Sequence, residues 1–290
     1  LTSFNSDGFT VGSNFDHNNN NSTFVAWCWK AGGTAVSNTD GSVTSSVSAN
    51  TTHGFSIVEY TGTSASSNTI GHGLGSVPEF IIVKSTSAAD GWFCYHSGMD
   101  ATSPEDYDIT LNTTGARRDY FTWNDTKPTS SVFSVGNTGA SNENGRDYIA
   151  YCFANVPGYQ RIGSYTGNGS DSGPAVETGF KPRFVLLKNA NDSTESDWKI
   201  YDSERDPVFV SGVNQLVLSP NSSSQELGNK GVEFTASGFT VKDSNNSING
   251  SGDTIIYLAI GDDEIGSDED CLVDVPNAVT ADEDATDTTG

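Results

Sequence analysis

The feature that most limits what this chain can fold into is its likeness to itself. The stretch VEYTGTSASSNTIGHGLGSVPEFIIVK over residues 58–84 runs parallel to GSYTGNGSDSGPAVETGFKPRFVLLK over 163–188. WFCYHS (92–97) matches WKIYDS (198–203), SSVFSVG matches ASGFTVK, and DYIAYCFA matches DTIIYLAI. The spacing is steady: Tyr60 and Tyr165 lie 105 residues apart, Lys84 and Lys188 104, and Trp92–Trp198, Phe133–Phe239 and Tyr151–Tyr257 each 106. A fixed period of this size marks tandem structural units. A partial third copy leads the chain: DGFTVGSN and FVAWCWKAGG stand 124 residues before SVFSVGNT and YIAYCFANVP, pairing Phe9 with Phe133, Trp27 with Tyr151 and Cys28 with Cys152.

The period divides the chain into the C-terminal half of a repeat (1–31), a linker (32–53), two whole repeats (54–156 and 157–262) and an acidic tail or linker to a further domain (263–290). The first residue is not Met, which suits a piece of a longer protein. Within a repeat, β-rich runs are bounded by Gly, Asn and Ser clusters, the signature of strands between turns. FSIVEYT, EFIIVKS, GWFCYHS, YDITLN, DYFTWN, SSVFSVG and DYIAYCFA are the expected strands of the first whole repeat. About seven short strands in about 105 residues is the rhythm of an antiparallel β-sandwich. The fold expected is therefore all-β, built of tandem jelly-roll-like sandwich repeats. EFIIVK and RFVLLK are nearly continuous apolar runs, as a central strand would be, whereas SSVFSVG alternates like a half-exposed one. Pro78 and Pro182 precede those runs, at strand starts where a missing N–H costs the ladder little.

Composition agrees and narrows the partners. Apolar residues make up 34% and charged ones 18%, and with 31 Gly the balance favours strands and turns. A net charge of −23 with only 14 Lys and Arg argues against nucleic acid, whose phosphates need clustered cations, and against anionic membrane surfaces. No apolar run approaches the roughly 18 residues of a membrane helix, and the opening LTSFNSDGFTV has neither the basic nor the apolar segment of a signal peptide.

The repeat also weighs the candidate chemical groups. Cys152 matches Cys28 in the partial copy but Leu258 in the last repeat, and Cys94 matches Ile200. Positions that accept Cys, Leu or Ile are apolar pockets, so Cys28, Cys94 and Cys152 are expected as buried, unbridged thiols. Cys271 has no counterpart, and its acidic surroundings disfavour a reactive thiolate. GSDSGPA (169–175) carries the Asp-Ser-Gly run of chymotrypsin-like nucleophiles but lacks the second Gly and any His-bearing partner motif, so it reads as a turn. His17, His53, His72 and His96 hold no metal-ligand spacing; His72 aligns with Val176 and His96 with Asp202. Asp243, Asn245 and Ser247 open like a calcium loop, but no Glu closes it. No pair of carboxylates stands out for glycoside hydrolysis, and the Asn112–Thr114 triplet needs no glycan to explain it in so Asn- and Thr-rich a chain. Trp92 with Tyr95 and Trp198 with Tyr201 fall on opposite strand faces, which places each Trp inside and each Tyr outside. No catalytic residue, metal site or cofactor is expected.

LTSFNSDGFTVGSN, FVAWCWKAGGTAVSNTDGS, GFSIVEYTG, GHGLGSVPEFIIVK, DYIAYCFANVPGYQRIGSYTGNG and YDSERDP together resemble the tandem repeats of large virion proteins of marine tailed phages, including cyanophages. The resemblance spans most of residues 1–262. It implies a non-enzymatic virion structural protein, of tail-fibre or adhesive type, assembled with other virion subunits as a homo-oligomer, with a trimer favoured, and contacting a host-surface glycan or protein. The other expectation is a carbohydrate-binding or glycan-degrading module. Finally, FVAWCWK is expected as a strand with Val25, Trp27 and Trp29 on one face, completed by sequence upstream or by a neighbouring subunit.

Overall fold

The computed structural model describes residues 1–6, 8–192, 194, 196–205, 215–229 and 231–262. The chain divides into two compact units between Lys30 and Ala31. In the first, β1 (Ser3–Asn5) and β2 (Gly8–Thr10) form an antiparallel hairpin with Phe4 opposite Phe9. A single helical turn, α1 (Phe15–Asn18), follows, with the Asn14 side chain accepting the Asp16 N–H at its N-terminus. The strand expected over Phe24–Lys30 is not formed: no ladder engages these residues among those described, and without a ladder an apolar alternation has nothing to hold it extended. Trp27, Cys28 and Trp29 are half-buried, so Cys28 departs from the buried thiol expected. Cys271 and the tail 263–290 lie outside the described residues.

The second unit holds both whole repeats. The first contributes β3 (Val36–Asn38), β4 (Ser45–Asn50), β5 (Phe55–Thr61), β6 (Asn68–Gly71), β7 (Pro78–Ser85), β8 (Trp92–His96), β9 (Tyr107–Thr110), β10 (Arg118–Asp119), β11 (Val132–Val135) and β12 (Asp147–Ala154). Eight of these make one sheet in the order β10-β9-β8-β7-β12-β5-β4-β3, and β11 with β6 forms a small sheet. The two pack over a core in which Val58, Tyr60, Ile81, Val83, Ala150 and Cys152 of the large sheet meet Ile70, Phe133 and Val135 of the small one. The linker expected at 32–53 is therefore corrected: β3 and β4 extend the large sheet, and Val47 enters its core at 3% exposure.

The second repeat contributes β13 (Gln160–Thr166), β14 (Ala175–Glu177), β15 (Pro182–Asn189), β16 (Lys199–Asp202), β17 (Gln215–Val217), β18 (Leu227–Asn229), β19 (Val232–Thr235), β20 (Gly238–Val241), a helical turn α2 (Asn246–Asn249) and β21 (Thr254–Gly261). Its large sheet runs β13-β21-β15-β16, the order of β5-β12-β7-β8, and β14-β20-β19 covers it. Phe239 and Val241 lie over Val185, Leu187 and Tyr257 there.

The ladders revise the sequence alignment at the last strand. Phe153 stands opposite Phe80 and Ile260 opposite Phe184; Tyr148 faces Tyr60 and Ile255 faces Tyr165. The spacing here is 107, so Tyr151 corresponds to Leu258 and not to Tyr257. One residue of slip exchanges the two faces of a strand. Tyr257 accordingly lies in the second core, while Tyr151 lies half-buried on the far face of the first large sheet, stacked on Trp92 at 6.4 Å. The small sheets likewise pair Ile70 with Phe133 and Val176 with Phe239, so Val176 answers Ile70 rather than His72.

Two further expectations change. DYFTWN is not a strand beyond Asp119: the Thr122 N–H turns back onto the Tyr120 carbonyl at 2.7 Å, leaving Tyr120 and Phe121 exposed and Trp123 in the core. In the first repeat Tyr95 is the inner residue, edge-on to Trp123 at 6.0 Å, and Trp92 the outer one. In the second repeat Trp198 and Tyr201 are both buried, at 1% and 4% exposure.

That last fact identifies the junction. The far face of the second large sheet packs on the first repeat, so its strands β15, β16 and β21 are covered on both sides, while the edge strand β13 stays partly exposed. Trp198 lies 6.4 Å from Phe80 ring to ring and donates its indole N–H to the Thr110 carbonyl at 3.1 Å. Lys188 Nζ reaches the Thr114 carbonyl at 3.3 Å, and the Arg117 N–H bonds the Ala190 carbonyl at 2.8 Å. Burying a Trp side chain is worth roughly 3 kcal/mol in transfer terms.

His96 sits inside this junction at 1% exposure. Its Nδ1 accepts the Gly98 N–H at 3.0 Å, so the neutral ring carries its proton on Nε2 and donates it to the Tyr257 carbonyl at 3.1 Å. Burial drives its pKa down from 6.5 to about 4. The unfolded chain thus takes up this proton near pH 6.5 and the folded chain only near 4, so the contribution is complete above pH 6.5 and is lost as pH falls towards 4. The expected consequence is a loss of up to about 3 kcal/mol of unfolding free energy over that window, absent from His96→Gln. Urea titrations of both proteins at several pH values check it; equal pH slopes would contradict it.

Candidate functional site

A groove of about 580 Å³ opens on the far face of the eight-stranded sheet, at the edge that β3 and β4 add. Strand geometry explains its lining, since residues two apart share a face. Glu59 and Thr61 flank the buried Tyr60 on β5; Ser46 stands opposite Glu59, Ser37 opposite Ser46, and Asp147 opposite Thr61. Thr44 and Thr86 complete the polar rim, and Tyr60 and Tyr148 form the strands beneath it. The two tyrosine rings are turned into the core, stacked at 5.3 Å. The Thr61 hydroxyl donates to Asp147 Oδ1 at 2.8 Å, which fixes that carboxylate at the mouth.

The groove offers hydroxyls that both donate and accept and two carboxylates that accept. No Lys or Arg lines it, so an anionic ligand would find no counter-charge there. Its hydroxyls and carboxylates could hydrogen-bond a neutral, hydroxyl-rich ligand. Among the described residues the site belongs to the first repeat alone. By ladder register Glu59 corresponds to Ser164 and Asp147 to Thr254, and the described part of the second large sheet has no strands answering β3 and β4. Sequence reasoning missed the groove because four of its ten lining residues lie in the stretch expected as a linker. The available signal was the alternation in SSVSAN, whose Ser45 and Val47 face inward while Ser46 faces out.

A family model described as a domain of unknown function, DUF7483, matches residues 1–263. No curated protein and no solved structure matches the chain.

The groups singled out in the sequence are dispersed and locally engaged. GSDSGPA is a turn in which Ser170 Oγ accepts the Ser172 N–H and Asp171 accepts the Ser244 N–H. Asp243 and Asn245 accept backbone N–H groups two residues on, and Asn245 caps α2. Asn112 receives the Trp92 N–H. His72 lies between the Leu74 N–H and the Thr129 carbonyl, His53 beside Asn50 and the Tyr159 ring, and His17 within the single turn of α1. Among the described residues no cluster of His, Cys, Asp or Glu suits a metal ion. Nor is any described helix long and apolar enough to cross a membrane.

Cys94 and Cys152 are buried and unbridged, as the repeat pattern suggests. Burial pushes the Cys152 thiol up to about 12 and the Cys94 thiol higher still, so neither holds thiolate at neutral pH. Cys28 is half-buried, and its thiol is raised too. Iodoacetamide on the native protein is therefore expected to leave Cys94 and Cys152 unlabelled while denatured protein labels at both. Native labelling of either, read by peptide mass spectrometry, would contradict the packing.

Proposed function

We propose that this chain, which belongs to the DUF7483 family, is a non-enzymatic virion structural protein, part of a tail fibre or other adhesive appendage of a tailed phage. The observation that carries the reading is the junction between repeats. A sheet face that could have been left open is committed to the neighbouring repeat, with Trp198, Phe80 and His96 buried in the contact. Such packing turns a tandem sequence into a stiff spacer, which suits a part that sets reach. The resemblance of its sequence motifs to marine-phage virion repeats points the same way. The test is immunogold labelling of the purified particles of the encoding phage, using antibody raised against this chain. Label on the tail or its fibres is expected; purified particles that carry no peptide of this chain by mass spectrometry would overturn the reading.

The groove supports a second reading, a carbohydrate-binding module. It is confined to one copy, as a site added to a scaffold would be, and its hydroxyl and carboxylate lining suits neutral sugars. A glycan array carrying neutral, uronate and sulfated glycans separates the possibilities. This reading expects retention of neutral glycans by the wild-type chain and at least tenfold weaker retention by Glu59→Ala. Retention of none, or equal retention by the variant, would end it.

A further inference from the structure

The first repeat keeps, unused, the groups with which the second repeat docks. In the second repeat three groups on one sheet corner bond the first: the Trp198 indole N–H, Lys188 Nζ and the Ala190 carbonyl. By ladder register their counterparts are Trp92, Lys84 and Thr86. The equivalence extends to detail. Thr86 and Ala190 each donate their N–H to the carbonyl at the head of the last strand, Asp147 and Thr254, and Lys84 and Lys188 each bond the carbonyl of the next residue. Yet Lys188 is buried with a third acceptor across the junction, whereas Lys84 is half-buried and bonds only Ser85 and Ala88. Among the described residues neither the Trp92 indole N–H nor the Thr86 carbonyl has a hydrogen-bond partner. The corner is a complete socket without its insert.

The matching insert is also present and exposed. In the first repeat the docking groups lie on the segment Thr110 to Arg117, and the second repeat carries the same turn from Ser219 to Glu226. The Thr113 N–H bonds the Thr110 carbonyl and the Ser222 N–H that of Ser219; Gly115 N–H bonds Thr113 Oγ1 and Ser224 N–H bonds Ser222 Oγ. Asn112 and Asn221 each accept the backbone N–H of the repeat's own Trp. Residues 222–225 face solvent.

From this we infer that a second copy of this chain fills the socket, its Ser219–Glu226 turn seating on Trp92, Lys84 and Thr86 as Thr110–Arg117 seats on Trp198, Lys188 and Ala190. The contact is heterologous: each chain offers one socket and one insert, so association runs head to tail, and closes into a ring only if the rotation allows it. It repeats between chains the packing already made within one. It stands apart from the virion reading, since the interface is defined by the repeats themselves whatever particle they belong to.

The test blocks each half separately at exposed positions where folding is not at stake. Thr86→Arg obstructs the socket and Ser223→Arg the insert. Sedimentation velocity of the wild-type chain from micromolar to millimolar concentration is expected to show a weight-average mass above one chain that rises with concentration, or a closed ring. Each variant alone is expected to associate at least tenfold more weakly. Mixed in equal amounts, the two should form a heterodimer that grows no further, because only one intact socket and one intact insert remain. A wild-type chain that stays monomeric throughout, self-association that survives both substitutions, or a mixture that stays monomeric would each overturn the inference.

Discussion

Everything in the two-repeat unit depends on one constraint: strands β15, β16 and β21 of the second large sheet are buried on both faces. A sheet covered on one side needs alternation; one covered on both needs continuous apolar strands, and RFVLLK and IIYLAI supply them. Inward, Val185, Leu187 and Tyr257 meet the second small sheet. Outward, Leu186, Leu258 and Ile260 lie at 7%, 3% and 1% exposure beside the first repeat. The two basic groups this burial traps are both given partners. Lys188, whose pKa falls to about 8 as burial disfavours its charge, is surrounded by two carbonyls and the Ser196 hydroxyl, and His96 is kept neutral between an N–H and a carbonyl. Unpaired, such groups would cost more than their hydrogen bonds contribute.

The same constraint sets how much of the fold could be read from the chain. The period, the β-rich composition and the runs around Phe80 and Phe184 were legible because apolar strands between Gly and Asn turns leave a strong imprint. Register at the last strand was not. DYIAYCFA and DTIIYLAI are apolar on both faces, so alternation cannot choose between neighbouring registers, and matching Tyr151 to Tyr257 by identity falls one residue short. The buried asparagines mark the true register. Asn142 accepts the Thr63 N–H as Asn249 accepts that of Asn168, although both were invisible among so many Asn residues. The strands β3 and β4 were missed for the opposite reason. Ser and Thr dominate 32–53, and only Val43, Val47 and Ala49 reach the core from it.

The groove was hidden with them, since its residues carry no unusual chemistry singly. What distinguishes it is placement: hydroxyls and carboxylates from four strands converge on a face that the second repeat leaves open. The first repeat thus differs from the second in the use of equivalent surface. Its inner face builds a core, and its outer face is divided between a junction at the Phe80 and His96 end and a polar groove at the Glu59 end. Trp92 and Tyr151 stack between them. Under the proposed reading, stiffness would come from the covered faces and recognition from the uncovered one.

The junction is expected to couple both repeats into one cooperative unit, and native-state hydrogen exchange measures this directly. The slowest amides of β12 in the first repeat and of β21 in the second are predicted to open with one common free energy and one common dependence on denaturant. Two distinct opening energies, with one repeat exchanging fully while the other stays protected, would contradict the account.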